Sequence, residues 1–299
     1  MLVKSQFDVV VGHYMFLNEM YNPAAVGSQR GIMEVTAAHR ISWVGVPNAP
    51  QTTFFQFQLP FSVENTEHAS GIRFVNDKIG LFQTQSAMLQ YNYRFDFAGG
   101  GLSVGVDLGL ISVGFDGDSI RDVKSDYHEI MGDSHIPQSF KQDMSFDLGA
   151  GIYYSHVDWY AGVSYAHLTN PKLEWGDDTQ FTINGVMYFT GGCDFRLNHP
   201  LFTLKPSALI KTDFASWQMD LSILIDYDEK YRGGLSYRYQ DALSVLLGMD
   251  VIDGLMLGYV YDVPVGGIGG WGSHEVYMSY AFSVLKQKKN SKYRNVRIL

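Results

Sequence analysis

The sequence holds a single cysteine, Cys193, among 299 residues. That excludes an intrachain disulfide scaffold. Cys193 lies in an alternating stretch, so a buried, inert thiol is the expectation. Charge is scarce: 18% of residues are Asp, Glu, Lys or Arg, against roughly 25% in soluble domains. Proline is scarce too, with 9 residues. Long apolar runs are missing, and no stretch approaches the roughly 18 residues that a membrane-spanning helix needs. The opening "MLVKSQFDVVVGHYMF" has only Val9, Val10 and Val11 as an apolar core, too short for a signal peptide. Taken literally this describes a cytoplasmic protein. The alternative, favoured by the rest of the chain, is a mature sequence whose signal has been removed.

Aromatic rings and glycine are plentiful, with 19 Tyr, 19 Phe and 31 Gly. The net charge is −9, and the last sixteen residues contribute +6, which leaves −15 on the preceding 283. An acidic body argues against nucleic acid as the partner. The basic end suits an acidic protein or anionic lipid.

A period of two dominates. In "GLSVGVDLGLISVGF", Leu102, Val104, Val106, Leu108 and Leu110 share one face, and Ser103, Gly105, Asp107 and Gly109 share the other. "MSFDLGAGIYYS" and "WQMDLSILID" alternate likewise. Such alternation marks strands with one apolar face. Fourteen strands are expected, at 32–42, 51–59, 70–76, 87–97, 101–115, 143–155, 158–168, 185–197, 200–211, 216–227, 230–239, 242–250, 254–262 and 274–284. Several reach the roughly ten residues of a tilted membrane strand.

Short links at 98–100, 156–157, 198–199, 228–229 and 251–253 alternate with longer ones at 43–50, 77–86, 116–142, 169–184, 212–215 and 263–273. That sidedness belongs to outer-membrane barrels, whose short turns are periplasmic. A long 60–69 link and a short one near Gln240 break the alternation. The expected fold is all-β: a 14-stranded antiparallel transmembrane outer-membrane β-barrel. Residues 1–31 form an N-terminal segment that plugs or lines the mouth, 32–284 the barrel, and 285–299 a short basic periplasmic tail. In the last strand, Tyr280 and Phe282 fall near the membrane interface. A soluble β-sandwich, including a carbohydrate-binding one, alternates too, but with its apolar residues inward.

Seven stretches occur in order: "YMFLNEMYNPAAVGSQRG" (14–31), "HRISWVGVPNAPQT" (39–52), "VNDKIG" (75–80), "KPSALIK" (205–211), "LSYRYQDALSVLLG" (235–248), "LGYVYD" (257–262) and "GSHEVYMSYAF" (272–282). Together, and with the terminal "KYRNVRIL", they resemble the PorP/SprF family of Bacteroidetes outer-membrane proteins. The resemblance implies a fourteen-stranded barrel of the type IX secretion system. It also implies either support of export at a periplasmic ring or the holding of secreted adhesins at the surface, as in gliding motility.

Catalytic patterns lack their context. "GLSVG" (101–105) matches a nucleophile elbow, but Ser103 sits in mid-strand where a strand-to-helix turn is required. "GIGGWG" (267–272) matches a dinucleotide fingerprint, but a strand follows it where a helix is required. The acidic loop "DGDSIRDVKSDYHEIMGDSHIPQSFKQD" (116–143) lacks the EF-hand register and any zinc spacing, so a bound divalent ion there is a minor reading. No enzyme activity and no cofactor are expected.

Partner-binding candidates remain. Tyr14, Phe16 and Tyr21 are too many rings for a free leader. Trp43 and Trp271 flank surface loops as girdle residues or partner contacts. Lys286, Lys288, Lys289, Lys292, Arg294 and Arg297 supply a periplasmic docking tail. The partners expected are a secreted surface protein outside, periplasmic secretion components inside, and outer-membrane lipid. The competing function is a channel for small solutes.

Overall fold

The structure, a computed structural model, describes residues 9–64, 66–117, 139–175, 180–265 and 271–283. Seventeen strands follow one another: β1 (Ile32–Ile41), β2 (Gln51–Val63), β3 (Thr66–Ile79), β4 (Phe82–Phe97), β5 (Gly100–Asp116), β6 (Phe140–Ser155), β7 (Trp159–Ala166), β8 (Lys172–Glu174), β9 (Gln180–Thr182), β10 (Val186–Cys193), β11 (Phe195–Arg196), β12 (Phe202–Thr212), β13 (Trp217–Tyr227), β14 (Tyr231–Arg238), β15 (Ala242–Ile252), β16 (Leu255–Pro264) and β17 (Ser273–Ser283). β8 and β9 pair only with each other, in the 167–185 connection. β11 prolongs the line of β10 beyond Asp194 and pairs with β12. The remaining wall is a closed antiparallel barrel of fourteen strands. β1 closes it against β17, from Ile32↔Ser283 to Ile41↔His274.

The two faces are inverted relative to a soluble β-protein. In β5, Val104 and Leu108 are exposed to 46% and 44%, while Ser103 and Asp107 on the other face keep 1% and 4%. Apolar residues face out all round the wall, as lipid contact demands. That inversion excludes the soluble sandwich. Aromatic residues cluster near the short-turn end on the outside, among them Tyr91, Tyr93, Phe95, Trp159 and Tyr231, where amphipathic rings suit the interface. Tyr280 lies on the same outward face of β17.

Two links differ from the sequence reading. The 60–69 and 77–86 connections are two-residue turns, because Val63 pairs with Thr66 and Ile79 with Phe82. Glu64 and Gly80 take the positive φ these turns require, 46° and 61°. The strands outrun their hydrophobic alternation. Past the apolar band the ladder continues through polar side chains, with the amides of Gln83 and Gln85 donating to Asn76 at 2.7 and 3.0 Å. Cys193, expected to be buried, is half-buried at the end of β10.

The packed core lies inside the barrel. Val11, Tyr14, Leu17, Met20 and Tyr21 of the N-terminal segment pack on inward residues of the wall, including Phe54, Tyr188, Leu209 and Tyr277.

Candidate functional site

Residues 9–31 thread the lumen in single turns: 3-10 turns at Tyr14–Phe16 and Pro23–Ala25 flank one α-turn, Asn18–Tyr21. "YNPAAVG" explains the second turn locally. Pro23 has φ preset for a first helical position, and the Asn22 side chain accepts from the Ala24 N–H at 2.9 Å. Turns this short do not persist alone. The wall holds them by their backbone. The amides of Gln90 and Asn92 donate to the carbonyls of Glu19 (3.1 Å) and of Ala24 and Val26 (2.8 and 2.6 Å). Arg73 donates to Met20 O, Ser164 to Tyr21 O at 2.6 Å, and Arg94 to Ser28 O at 2.8 Å. The Asn22 amide in turn donates to Ile152 O at 2.9 Å.

The small residues of β5 and β6 make room for this. A Cβ on Gly105 would lie 2.4 Å from the Ala24 nitrogen, and one on Gly151 would lie 2.1 Å from Asn22 Oδ1. The Gly-Ser-Asp face of "GLSVGVDLG" is therefore the seat of the segment.

Beside the first turn lies a buried ion network. Glu275 in β17 accepts from the backbone N–H groups of Gly12 and His13 at 2.6 and 3.0 Å, and lies 2.8 Å from His13 Nδ1. Arg40 bridges Glu275 (3.4 Å) and Asp262 (2.5 Å). Arg238 bridges Asp262 (3.4 Å) and Asp220 (2.7 Å). Buried charges persist only when paired, and here β1, β13, β14, β16 and β17 all contribute.

The segment divides the lumen. Towards the long loops lies a cavity of about 500 Å³ with Met20, Tyr21 and Pro23 in its lining. Towards the short turns lies one of about 210 Å³, reached by Glu19, Glu34, Cys193, Asp194 and Lys205. Among the described residues no group of three His, Cys, Asp or Glu side chains is placed to hold a metal ion.

The candidates named from sequence separate into three sets. Tyr14 and Tyr21 are buried against the wall, the Tyr14 hydroxyl donating to Ser207 O at 3.0 Å, and Phe16 packs beside Tyr277. Trp43 and Trp271 come together at the long-loop end. Val44 N–H donates to Gly272 O at 2.8 Å, Trp271 N–H to Val44 O at 3.2 Å, and Trp43 N–H to Ser273 Oγ at 3.1 Å. Trp271 is the most exposed large apolar side chain described, at 74%. Lys286, Lys288, Lys289, Lys292, Arg294 and Arg297 lie outside the described residues, as do the centre of the 116–143 loop and most of "GIGGWG". Ser103 faces the lumen in mid-strand, so no elbow forms. Arg40, Arg238 and Glu275 were missed as site residues. Their signal was a charge on the small, polar face of a strand.

Residues 3–280 match the family model described as type IX secretion system membrane protein PorP/SprF. No curated protein matches the sequence. Solved outer-membrane structures are similar in fold. A FadL homologue of Pseudomonas aeruginosa aligns with TM-score 0.52 and 10% identity over 88% of this chain and 93% of that one. Omp33 of Acinetobacter baumannii gives 0.48 and 6% over 84% and 97%. The toluene transporter TodX of P. putida gives 0.47 and 10% over 89% and 93%. At such identities the likeness to the FadL homologue shows the fold alone.

Proposed function

The chain belongs to the PorP/SprF family of type IX secretion system outer-membrane proteins, and from that premise we propose that it works as a closed docking platform. The long-loop end anchors a secreted surface protein, and the short-turn end meets periplasmic components of the secretion machine. Binding, not covalent chemistry, is its work. The observation that carries this reading is the occupied lumen. Residues 9–31 are held by side chains of β2, β3, β4, β7, β12 and β17, which supports a platform over an open solute channel. Trp43 and Trp271, whose backbones are tied together through Val44, Gly272 and Ser273, place aromatic rings at the outer end, of the kind that supplies binding hot spots. The basic residues 286–297 fit an acidic periplasmic partner.

The test is purification from native membranes in mild detergent, with a tag in the 116–142 loop and mass spectrometry of what accompanies the barrel. A stoichiometric fragment of a large secreted protein is the expected companion, together with periplasmic ring components. A barrel that arrives alone and conducts ions with solute selectivity in planar bilayers would replace this reading with the channel.

A further inference from the structure

Two short stretches, "HRISW" (39–43) and "WGSHE" (271–275), carry both the latch of the luminal segment and the outer tryptophans. β1 and β17 pair as far as Ile41↔His274, with Arg40 opposite Glu275. Within three residues of that last pair stand Trp43 on one chain and Trp271 on the other. The contacts between latch and tryptophans form an unbroken series. Gly12 and His13 donate their backbone N–H groups to Glu275 at 2.6 and 3.0 Å. Arg40 donates to Glu275 at 3.4 Å, and its Nε donates to Ser42 Oγ at 3.1 Å. Ser42 N–H donates to Pro50 O at 2.9 Å, which closes the base of the 42–50 loop. Trp43 N–H donates to Ser273 Oγ at 3.1 Å, and Val44 N–H to Gly272 O at 2.8 Å. Between these ties Trp43 holds φ at 49°, a left-handed backbone that a bulky residue adopts only under constraint. The loop therefore has a relaxed alternative once a tie is lost. Val9, four residues before His13, lines the long-loop cavity, and its O accepts from Lys211 Nζ at 3.2 Å. The latched part of the segment is thus its outermost part.

We infer that the luminal segment and the outer Trp43–Trp271 clasp are coupled through Arg40 and Ser42, so that the clasp keeps its form only while Gly12 and His13 sit on Glu275. Unseating the segment leaves Arg40 as the remaining donor to Glu275 among the described residues. A buried carboxylate short of donors draws in the charge that is left. The guanidinium, anchored on Asp262, then turns from Ser42 towards Glu275. Ser42 loses its tether, and Trp43 relaxes to negative φ. Coupling is reciprocal, so a protein held on the clasp stabilises the seated segment. The barrel stays closed while loaded, and a barrel that opens lets its load go. That the load is a secreted surface protein rests on the docking reading; the coupling does not.

The experiment uses the full chain in lipid nanodiscs. Amide exchange read by mass spectrometry follows residues 9–17 and 42–46, with β6 as the control for global stability. Fluorine NMR of the fluorotryptophan-labelled chain follows Trp43 and Trp271, assigned by single Trp→Phe variants. Gly12→Val unseats the segment from its own side, because a Cβ there lies 2.9 Å from Val260 Cγ1, away from the clasp. Exchange at 42–46 should rise about tenfold, the worth of one hydrogen bond to a charged group. Both fluorine signals should move, and β6 should stay protected. Ser42→Ala cuts the relay from the loop side. It frees Arg40 to compete for Glu275, so exchange should rise about fivefold at 9–17 as well as at 42–46. Ser42→Thr, which keeps the hydroxyl, should match wild type. In the double variant Gly12→Val, Ser42→Ala, exchange at 42–46 should rise no further than in Ser42→Ala alone, since the link is already cut. Faster exchange at 9–17 in Gly12→Val, with 42–46 and both signals as in wild type, overturns the inference. Where Gly12→Val fails to fold or leaves 9–17 protected, Ser42→Ala decides: faster exchange at both ends supports the coupling, and any other pattern overturns it. Co-purification of a secreted protein separates this inference from the docking reading. Coupling with a partner undiminished by Gly12→Val moves docking off the clasp and leaves the coupling standing. A partner lost with Trp271→Ala, alongside no coupling, sinks this inference and leaves docking intact.

Discussion

His13 and Glu275 stand 262 residues apart in sequence and meet inside the barrel, the imidazole Nδ1 2.8 Å from a carboxylate oxygen. The same carboxylate receives two backbone N–H groups and Arg40. One wall residue thus latches the start of the luminal segment. Glu275→Ala leaves two buried N–H groups and a guanidinium short of an acceptor, a loss of about 3–5 kcal/mol for a broken buried pair. Residues 9–17 should then exchange amide hydrogens much faster, while β17 stays protected. Glu275→Gln, which keeps an acceptor oxygen, should fall between. Unchanged protection of residues 9–17 in the alanine variant would show that the latch lies elsewhere.

Gly105 and Gly151 set the seat of the second turn. A valine at Gly105 would push its Cβ into the Ala24 backbone, which has no rotamer to yield. Gly105→Val should expel residues 20–27 from the lumen without unfolding the wall, since both neighbours of β5 stay paired over long ladders. Planar-bilayer conductance should rise from closed to porin-like, with the heat-modifiable gel shift of a folded barrel retained. A folded, non-conducting variant would mean that the segment reseats.

Much of the wall was legible because lipid and lumen impose opposite polarity on successive residues, as at Val104 and Ser103. The ends of β2, β3 and β4 were not, because pairing there outlasts the alternation and runs through Asn76, Gln83 and Gln85. The ion network was hidden for another reason. Arg40 and Glu275 each read as an isolated charge on a strand, and only closure of β1 on β17 sets Arg40 opposite Glu275. Gly105 read as one more member of a polar face, and its neighbour Ala24 lies 81 positions earlier in the chain.

Glu19 gives the luminal segment a pH dependence. Burial, and secondarily the charge of Glu34, push its carboxyl up from 4.5 to about 8, with Arg73 opposing. A carboxyl whose pKa is raised in the docked state disfavours that state once it must ionise. Docking is therefore most stable below pH 4.5, weakens as the pH rises towards about 8, and levels above that. Protease cleavage within residues 9–31 should be slow at pH 5 and faster at pH 8.5. Glu19→Gln should flatten the difference; a slope that persists in that variant would assign the titration to another group.

Trp271 separates a binding role from a structural one. Its backbone is tied to Val44, but its indole is 74% exposed, so Trp271→Ala removes little packing. The thermal unfolding midpoint should move by no more than a degree or two, as for an exposed substitution of under about 0.5 kcal/mol. An exposed aromatic ring on a tethered backbone is the type of residue that dominates interfaces, where truncation costs about 2 kcal/mol or more. Retention of the secreted partner through detergent washes should then fall by about thirtyfold, the equilibrium equivalent of that loss. Partner retention equal to wild type, with the barrel equally stable, would move the docking surface away from the Trp43–Trp271 clasp and towards the remaining loops of that end.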